Sequence, residues 1–428
     1  MHKILVVGPA YSQTGYGEQC RFALRSLMSR TTDLIDLYLK PTEWGRSSWL
    51  LPTDEDRLWL DNLVTKTHLY TQGGGKFDYS LQVTIPNEWE KIAPINIGYT
   101  AGIETNIVSP EWIKRSTLMD KIIVVSNHSK DVYVDTVYQG VIQSTNTPIE
   151  LKCQTPIEVV NYPAREYEPA NIKLDLDYDF NYLAIAQWGP RKNLENTVKW
   201  WVEEFKDEEV GLVVKTNLVK TSIIDRMVTL GRIENHLATY KDRKCKVYLL
   251  HGNMTPEEMT SLYRHPKVKC LVSLTHGEGF GLPLWEAAYN GLPVMAPDWS
   301  GQRDFLYAKK KVRRWKGQKK KVTKMVPHFC VVDHEMGQVP PSMVWDGVIQ
   351  ANAGWCYPDE GSYKFNLRKM LNNYGHFKKQ AAVLMRYVKK EFENERQYNR
   401  FIEAMNLPDV EDADTWAENI EALIKNYE

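Results

Sequence analysis

Short apolar runs alternate with amphipathic helical patterns twice along this chain, and that alternation limits the fold more than any other feature. Ile4 to Val7 reads as a strand, followed by a loop from Gly8 to Gly17. Cys20, Ala23, Leu24, Leu27 and Met28 then recur at i, i+3, i+4, i+7 and i+8, one face of a helix. A second helix is expected over Asp54 to Val64, with strands at Leu81–Ile85, Ile95–Tyr99, Ile122–Val125 and Ile157–Val160. A Pro- and acid-rich stretch, Tyr162 to Asp179, interrupts the pattern and reads as a linker. Strand-like runs resume at Tyr182–Ala186, Val210–Val214, Val247–Leu250 and Val268–Leu274, and after Asp359 the chain reads as helical, finishing with Asp414 to Tyr427. Alternation of this kind makes parallel sheets wrapped by helices. The expected fold class is therefore α/β, as two consecutive open α/β units with ligands in the cleft between them at the carboxyl ends of their strands.

Composition narrows the class further. Apolar residues make up 43% and charged residues 25% of the 428, an ordinary globular balance that excludes disordered and collagen-like chains. No run approaches the ~18 to 20 apolar residues of a membrane helix. The start, Met1 to Gly8, is too short for a signal-peptide core. Six cysteines without a CxxC pair suggest neither a disulfide framework nor a zinc ribbon. A cytoplasmic protein without integral membrane association is expected. Basic and acidic residues balance at 54 each, yet Lys309 to Lys324 holds ten basic residues in sixteen and no acid. The rest of the chain carries 44 basic against 54 acidic residues, so a cationic loop sits on an acidic body.

The most informative segment runs from Ser273 to Ala288 through His276-Gly277-Glu278-Gly279-Phe280-Gly281-Leu282-Pro283. A strand ends, a glycine-rich turn follows, and a helix begins near Pro283, where proline suits the first turn. Free N–H groups and the helix dipole there make an anion site suited to a diphosphate. Glu278 in the turn and Glu286 in the helix lie eight positions apart and can face one cleft. Glycine-rich turns before helices are often only turns, so the wider pattern matters.

That wider pattern resembles the retaining glycosyltransferases of the GT-B fold, family four. It comprises Glu-x7-Glu within Gly-Glu-Gly-Phe-Gly-Leu-Pro, then Asn290 to Val294 and Pro297 to Gly301. Upstream, Gln187 to Leu194 is similar to the family's Arg-Lys segment, and Gly98–Glu104, Pro110–Trp112 and Val124–Ser126 to its first domain. The resemblance implies two Rossmann-like domains facing across a cleft, with C-terminal helices. The expected division is 1–170 for the acceptor domain and 171–400 for the donor domain with a basic insert at 307–345. Residues 401–428 would be a helical segment packing back on the first domain.

Roles follow from the resemblance position by position. Glu286 matches the glutamate that holds the donor ribose, and Glu278 the one that contacts the transferred sugar. Arg191 and Lys192 would neutralise the leaving diphosphate; the Gly279, Phe280 and Gly281 amides, continuing into Leu282, would bind sugar hydroxyls and phosphate. Gly15 and Gly17, placed before a helix starting near Glu18, match the N-terminal glycine loop, and Asn253 lies where relatives place the nucleotide base. Many relatives carry a histidine where this chain reads Thr100 to Thr105. Glu104 is the one ionisable residue there; it either orients the acceptor hydroxyl as a catalytic group or caps a helix. Asp175, Asp177 and Asp179 read as a solvated linker, and the family needs no bound metal. The donor would be UDP- or GDP-linked, with no cofactor.

The acceptor is a separate question. Lys309, Lys310, Arg313, Arg314, Lys319, Lys320 and Lys321 lie in an insertion relative to the family. A run of charge is commonly a solvated face, and a polyanionic acceptor would be steered by one of this density. Hydroxymethylated bases of double-stranded DNA, the substrate of a phage-type DNA-modifying member, are the favoured acceptor. A cell-surface glycan or lipid is the rival, and a noncatalytic nucleotide-sugar or nucleic-acid binding protein the alternative of another class. Trp44 and Trp49 lie in an early loop that could line an acceptor groove.

Overall fold

Five successive residues of the first strand, Ile4 to Gly8, are buried, which a strand achieves only inside a sheet covered on both faces. The computed structural model describes residues 1–29, 35–142, 146–313 and 321–407. The first sheet contains β1 (His2–Gly8), β2 (Ile35–Pro41), β3 (Tyr79–Gln82), β4 (Ile95–Thr100), β5 (Lys121–Val124) and β8 (Ile157–Val159). They lie in the order β2-β1-β3-β4-β5-β8, all parallel. Between β5 and β8, β6 (Val137–Ile142) and β7 (Thr147–Lys152) form an antiparallel hairpin. Helices α1 (Gly15–Met28), α2 (Glu55–Gln72), α3 (Pro110–Ser116) and α4 (Asn127–Asp135) belong to this half.

The second sheet repeats the plan with β9 (Asn181–Ile185), β10 (Gly211–Lys215), β11 (Lys246–Leu250), β12 (Val268–Val272), β13 (Val294–Pro297) and β16 (Cys330–Val332). Its order is β11-β10-β9-β12-β13-β16, again parallel. Helices α5 (Leu194–Phe205), α6 (Ile223–Leu237), α7 (Pro256–Arg264) and α8 (Leu282–Asn290) connect its strands. In α5, Leu194, Val198, Trp201, Val202 and Phe205 repeat at helical spacing and are buried as one stripe. Two antiparallel hairpins follow, β14 (Tyr307–Arg313) with β15 (Lys321–Pro327) and β17 (His334–Gln338) with β18 (Gly354–Pro358). The chain then runs through α9 (Glu360–Asn372), α10 (Tyr374–Glu391) and α11 (Asn394–Met405).

A seam of aromatic rings joins the halves. Phe401 of α11 meets Phe22 of α1 at 5.5 Å between centroids and Tyr99 of β4 at 5.2 Å. From Phe22 the contacts continue to Tyr162 at 5.9 Å and from Tyr162 to Phe280 at 5.0 Å. Phe280 then meets Trp285 at 5.7 Å, and Trp285 meets Phe392 at 5.0 Å. The carboxyl ends of both sheets thereby face each other, which is the GT-B arrangement.

Several local expectations change. Lys309 to Lys324 is not a loop: its described parts are strands of a hairpin, with Lys310 paired directly against Lys324. The pairing escapes a period-two reading because few of its residues are apolar. Helix α1 begins at Gly15, not near Glu18, since the Thr14 side chain accepts from the Gly17 amide and caps it there. The stretch 162–179 has no regular structure but is no free linker, because Tyr162, Ala164 and Leu176 are buried and the Ala164 amide donates to the Phe392 carbonyl at 2.7 Å. The expected helix from Asp414 to Tyr427 lies outside the described residues.

Candidate active site

The turn from β9 into α5 is a single 3-10 turn, Pro190–Lys192, ended by Asn193 in the left-handed region at φ 50°. It aims two cations at the turn that follows β12. Lys192 Nζ donates to both carboxylate oxygens of Glu278, at 2.5 and 2.7 Å. The Arg191 guanidinium donates to the Gly277 carbonyl at 2.8 Å and lies 3.5 Å from Glu278. Its other nitrogen pairs at 3.2 Å with Glu104, which belongs to the first domain. Four of the expected site residues therefore meet in one network that spans the cleft. Burial opposes ionisation of Glu278, but Lys192 and Arg191 outweigh it and hold the carboxyl below its usual range.

The approach of the two halves is at backbone distance. A methyl group on Gly277 would lie 2.2 Å from the Glu104 carbonyl oxygen, and one on Gly279 2.4 Å from that of Ala101. No other residue fits at either position. The Ser126 hydroxyl donates to the Gly279 carbonyl at 2.6 Å, while the Glu278 amide donates to Ser300 Oγ at 2.9 Å. Among the described residues, the amides of Gly279, Phe280 and Gly281 have no protein acceptor. They sit at the start of α8, where the helix dipole adds to their partial positive charge. The arrangement suits an anion.

Glu286 lies apart from that network. Tyr263 of α7 donates to its carboxylate at 2.8 Å, and no ion pair reaches it among the described residues. Burial drives its carboxyl up to about 7, and the nearby Glu18 adds to the shift, against Tyr263 and Lys215. Glu18 itself is held at about 2: burial opposes this, and Arg25, Arg21 and Arg165 outweigh it. Lys215 donates to the Gly252 carbonyl at 3.0 Å.

The remaining expected residues fall in several places. Gly15 opens α1 and comes nearest to Leu282 of the other half, at 3.9 Å from a built Cβ. Gly17 is packed on the Ser12 carbonyl and leaves no room for a side chain. The Phe280 ring belongs to the aromatic seam, so only its amide is turned to ligand chemistry. Asn253 is exposed in the loop after β11. Lys309 and Lys310 are exposed on β14 and form no salt bridge among the described residues. Arg313 and Lys321 pair by backbone, and Arg314, Lys319 and Lys320 lie outside the described residues. Tyr263, Lys215 and Ser300 went unnoticed in the sequence. Ser300 lies inside the family-like Pro297–Gly301 stretch, but Tyr263 is 23 positions before Glu286 and no spacing points to it.

No family model and no curated relative matches the sequence. Solved structures do match. Anabaena HepE, in complex with UDP and glucose, is 10% identical with a TM-score of 0.57, over 95% of this chain and 100% of that one. Sucrose-phosphate synthase from Thermosynechococcus elongatus is 13% identical at 0.56, over 95% and 98%. A glycosyltransferase from Rickettsia africae is 12% identical at 0.55, over 95% and 99%. At such identities the likeness establishes the fold, and the fold is GT-B.

The Glu286 shift has a measurable consequence. A carboxyl raised from 4.5 to about 7 binds more protons folded than unfolded between those values. Its contribution to stability is thus present below about pH 4.5 and is lost as the pH rises through 7. Replacing it by glutamine removes the dependence. In urea denaturation from pH 5 to pH 8, wild type should lose up to roughly 3 kcal/mol relative to Glu286→Gln. Parallel stability curves for the two proteins would show that Glu286 titrates normally.

Proposed function

We propose that this protein is a glycosyltransferase that moves a sugar from a nucleoside-diphosphate sugar to an acceptor hydroxyl, with retention at the anomeric carbon. The observation that carries this is the network of Arg191, Lys192, Glu278 and Glu104 beside three free amides at the start of α8. HepE, of the same fold, holds UDP and glucose together.

In this reading the donor diphosphate lies on the Gly279, Phe280 and Gly281 amides and draws Arg191 and Lys192 away from Glu278. Glu278 is then left to accept from hydroxyls of the transferred sugar, and Glu286 accepts from the ribose diol. The acceptor oxygen bonds to the anomeric carbon on the face from which the bond to the phosphate oxygen breaks. The acceptor proton passes to a phosphate oxygen, and a nucleoside diphosphate leaves. No side-chain nucleophile and no bound metal take part. Positive charge fixed at the leaving group lowers the barrier because charge accumulates there.

Calorimetry with UDP- and GDP-sugars tests the donor half. Glu286→Ala should weaken binding by about 1.5–3 kcal/mol, the value of a hydrogen bond to a charged group; unchanged affinity removes Glu286 from the site. Lys192→Ala and Arg191→Ala should lower turnover more than they raise the donor KM, because the lost contact strengthens towards the transition state. Near-wild-type turnover in both, and in the double variant, would sink the assignment. A noncatalytic binder would hydrolyse no donor at all.

For the acceptor, the reading is a hydroxymethylated base of duplex DNA. What supports it is the hairpin: Lys309, Lys310, Lys311 and Lys324 are exposed, and the like-charged Lys310 and Lys324 stand opposite each other. Like charges directly opposed destabilise a ladder, and a polyanion relieves them. Duplex affinity should fall steeply with salt, by about 0.9 in log K per phosphate contact for each unit of log salt. Changing Lys309, Lys310 and Lys324 to glutamine should flatten that slope by up to about three contacts. A salt-insensitive protein, or a triple variant with the wild-type slope, would direct the search to glycans and lipids.

A further inference from the structure

The second half grips the first at a place that the donor chemistry does not use. Hairpin strands β17 and β18 are joined by the segment 339–353, closed at its neck where the Val339 amide donates to the Ala353 carbonyl at 2.9 Å. Its apex is a tight turn: the Ile349 amide donates to the Trp345 carbonyl at 2.7 Å, and the Trp345 amide to that of Ile349 at 3.1 Å. This apex reaches the first domain. Val348 is 6% exposed and enters a core whose other buried members, Trp89, Ile103, Val108 and Trp112 among them, all belong to residues 89–157. The Gly347 carbonyl accepts from Asn87 Nδ2 at 3.0 Å and from the Ser109 hydroxyl at 2.6 Å. Gly347 stands at φ 71°, a backbone turn that glycine adopts without strain. The segment is a strap across the two halves.

The other end of the strap is tied to the turn that carries Glu278. The Gly354 amide donates at 2.6 Å to Oδ1 of Asn106, two residues beyond Glu104. Ile107 packs with Val339, Ala353 and Trp355 in a small core. Trp355 is 1% exposed, and its ring lies flat on that of His276, 5.2 Å between centroids with 6° between the planes. His276 Nδ1 lies 2.6 Å from the Cys356 carbonyl, which can only accept, so Nδ1 carries the proton. The Cys356 amide donates back to the His276 carbonyl at 3.1 Å, and the His276 amide to the Arg191 carbonyl at 2.9 Å. His276 stands two positions before Glu278. The loop 101–109 is thus held twice by the second half, at Ala101 and Glu104 by the glycine turn and at Asn106, Ile107 and Ser109 by the strap.

We propose that His276 and Trp355 are positioning residues for Glu278, through which the strap 339–353 holds the Glu104 loop and the Glu278 turn in the relation that sugar transfer needs. The inference rests on the glycosyltransferase reading above and deepens it. Backbones that meet at Gly277 and Gly279 without side chains between them can slide. The strap adds an apolar anchor and directional hydrogen bonds beside that contact. Reacting groups tolerate little displacement, and a shift of about 1 Å caused far from the chemistry can cost about a hundredfold in rate. Glu286 and the α8 amides, which the donor reading assigns to the nucleotide, are not among the strap's contacts. The strap should therefore govern turnover and leave donor affinity nearly unchanged.

The experiment uses the full chain with UDP- and GDP-sugars. It reads kcat per folded molecule from nucleoside-diphosphate release, donor Kd by calorimetry, and hydrogen exchange at residues 101–109 and 276–279. Trp355→Ala and His276→Ala should each lower kcat about tenfold to a hundredfold, while donor Kd stays within about threefold. Trp355→Phe should stay within about threefold of wild type in kcat, because it keeps a stacking face and Trp355 Nε1 has no acceptor to lose among the described residues. At the far end of the strap, Val348→Ser should lower kcat in the same way and raise exchange in both segments. Should that variant not fold, Asn106→Ala, at an exposed position, carries the same test. A role in stability alone would lower the melting temperature of Trp355→Ala and leave its kcat per folded molecule at the wild-type value, which overturns the proposal. A folded strap variant with wild-type exchange at 276–279 overturns it as well, and the glycosyltransferase reading stands in both cases. A wild type that consumes no nucleotide sugar overturns that reading and the proposal with it.

Discussion

The structure hinges on one close approach, where the first-domain loop from Ala101 to Glu104 runs against the turn from Gly277 to Gly279. The separation admits no Cβ on either glycine, so the two backbones meet without side chains between them. Arg191 seals the contact by holding Glu278 of its own domain and Glu104 of the other. The orientation of Glu278 and the position of Tyr16 both follow from that contact. The aromatic seam from Phe401 to Phe392 holds the two sheets in place around it.

Two carboxylates eight positions apart have opposite fates. Glu278 is flanked by cations and kept ionised, whereas Glu286 lies against Tyr263 with burial uncompensated. A buried carboxyl without a cationic partner costs stability when it ionises. Clustered departures of this sort are a mark of functional sites, where local stability is traded for affinity.

The fold was legible because both of its signals are local. Apolar strands buried on two faces are continuous runs, and stripes such as that of α5 repeat at helical spacing. The hairpins were not legible. In β14 and β15 the alternation involves lysine and valine without a clean apolar face, and the pairing register joins residues 8 to 20 positions apart. The start of α1 was misplaced for a smaller reason: Thr14 caps it, and the two glycines that follow suggested a loop.

Sequence alone determined the two α/β halves, the glycine-rich turn and the residue types able to meet a diphosphate, since each depends on neighbours within about one helical turn or one strand. Tertiary structure decided which of them meet. Glu104 and Arg191 are 87 positions apart, and Tyr263 and Glu286 lie on different helices. No periodicity encodes such pairs. They come together because two sheets, each built from short-range signals, face each other at their carboxyl ends, where burial raises the carboxyl of Glu286 and neighbouring cations lower that of Glu278.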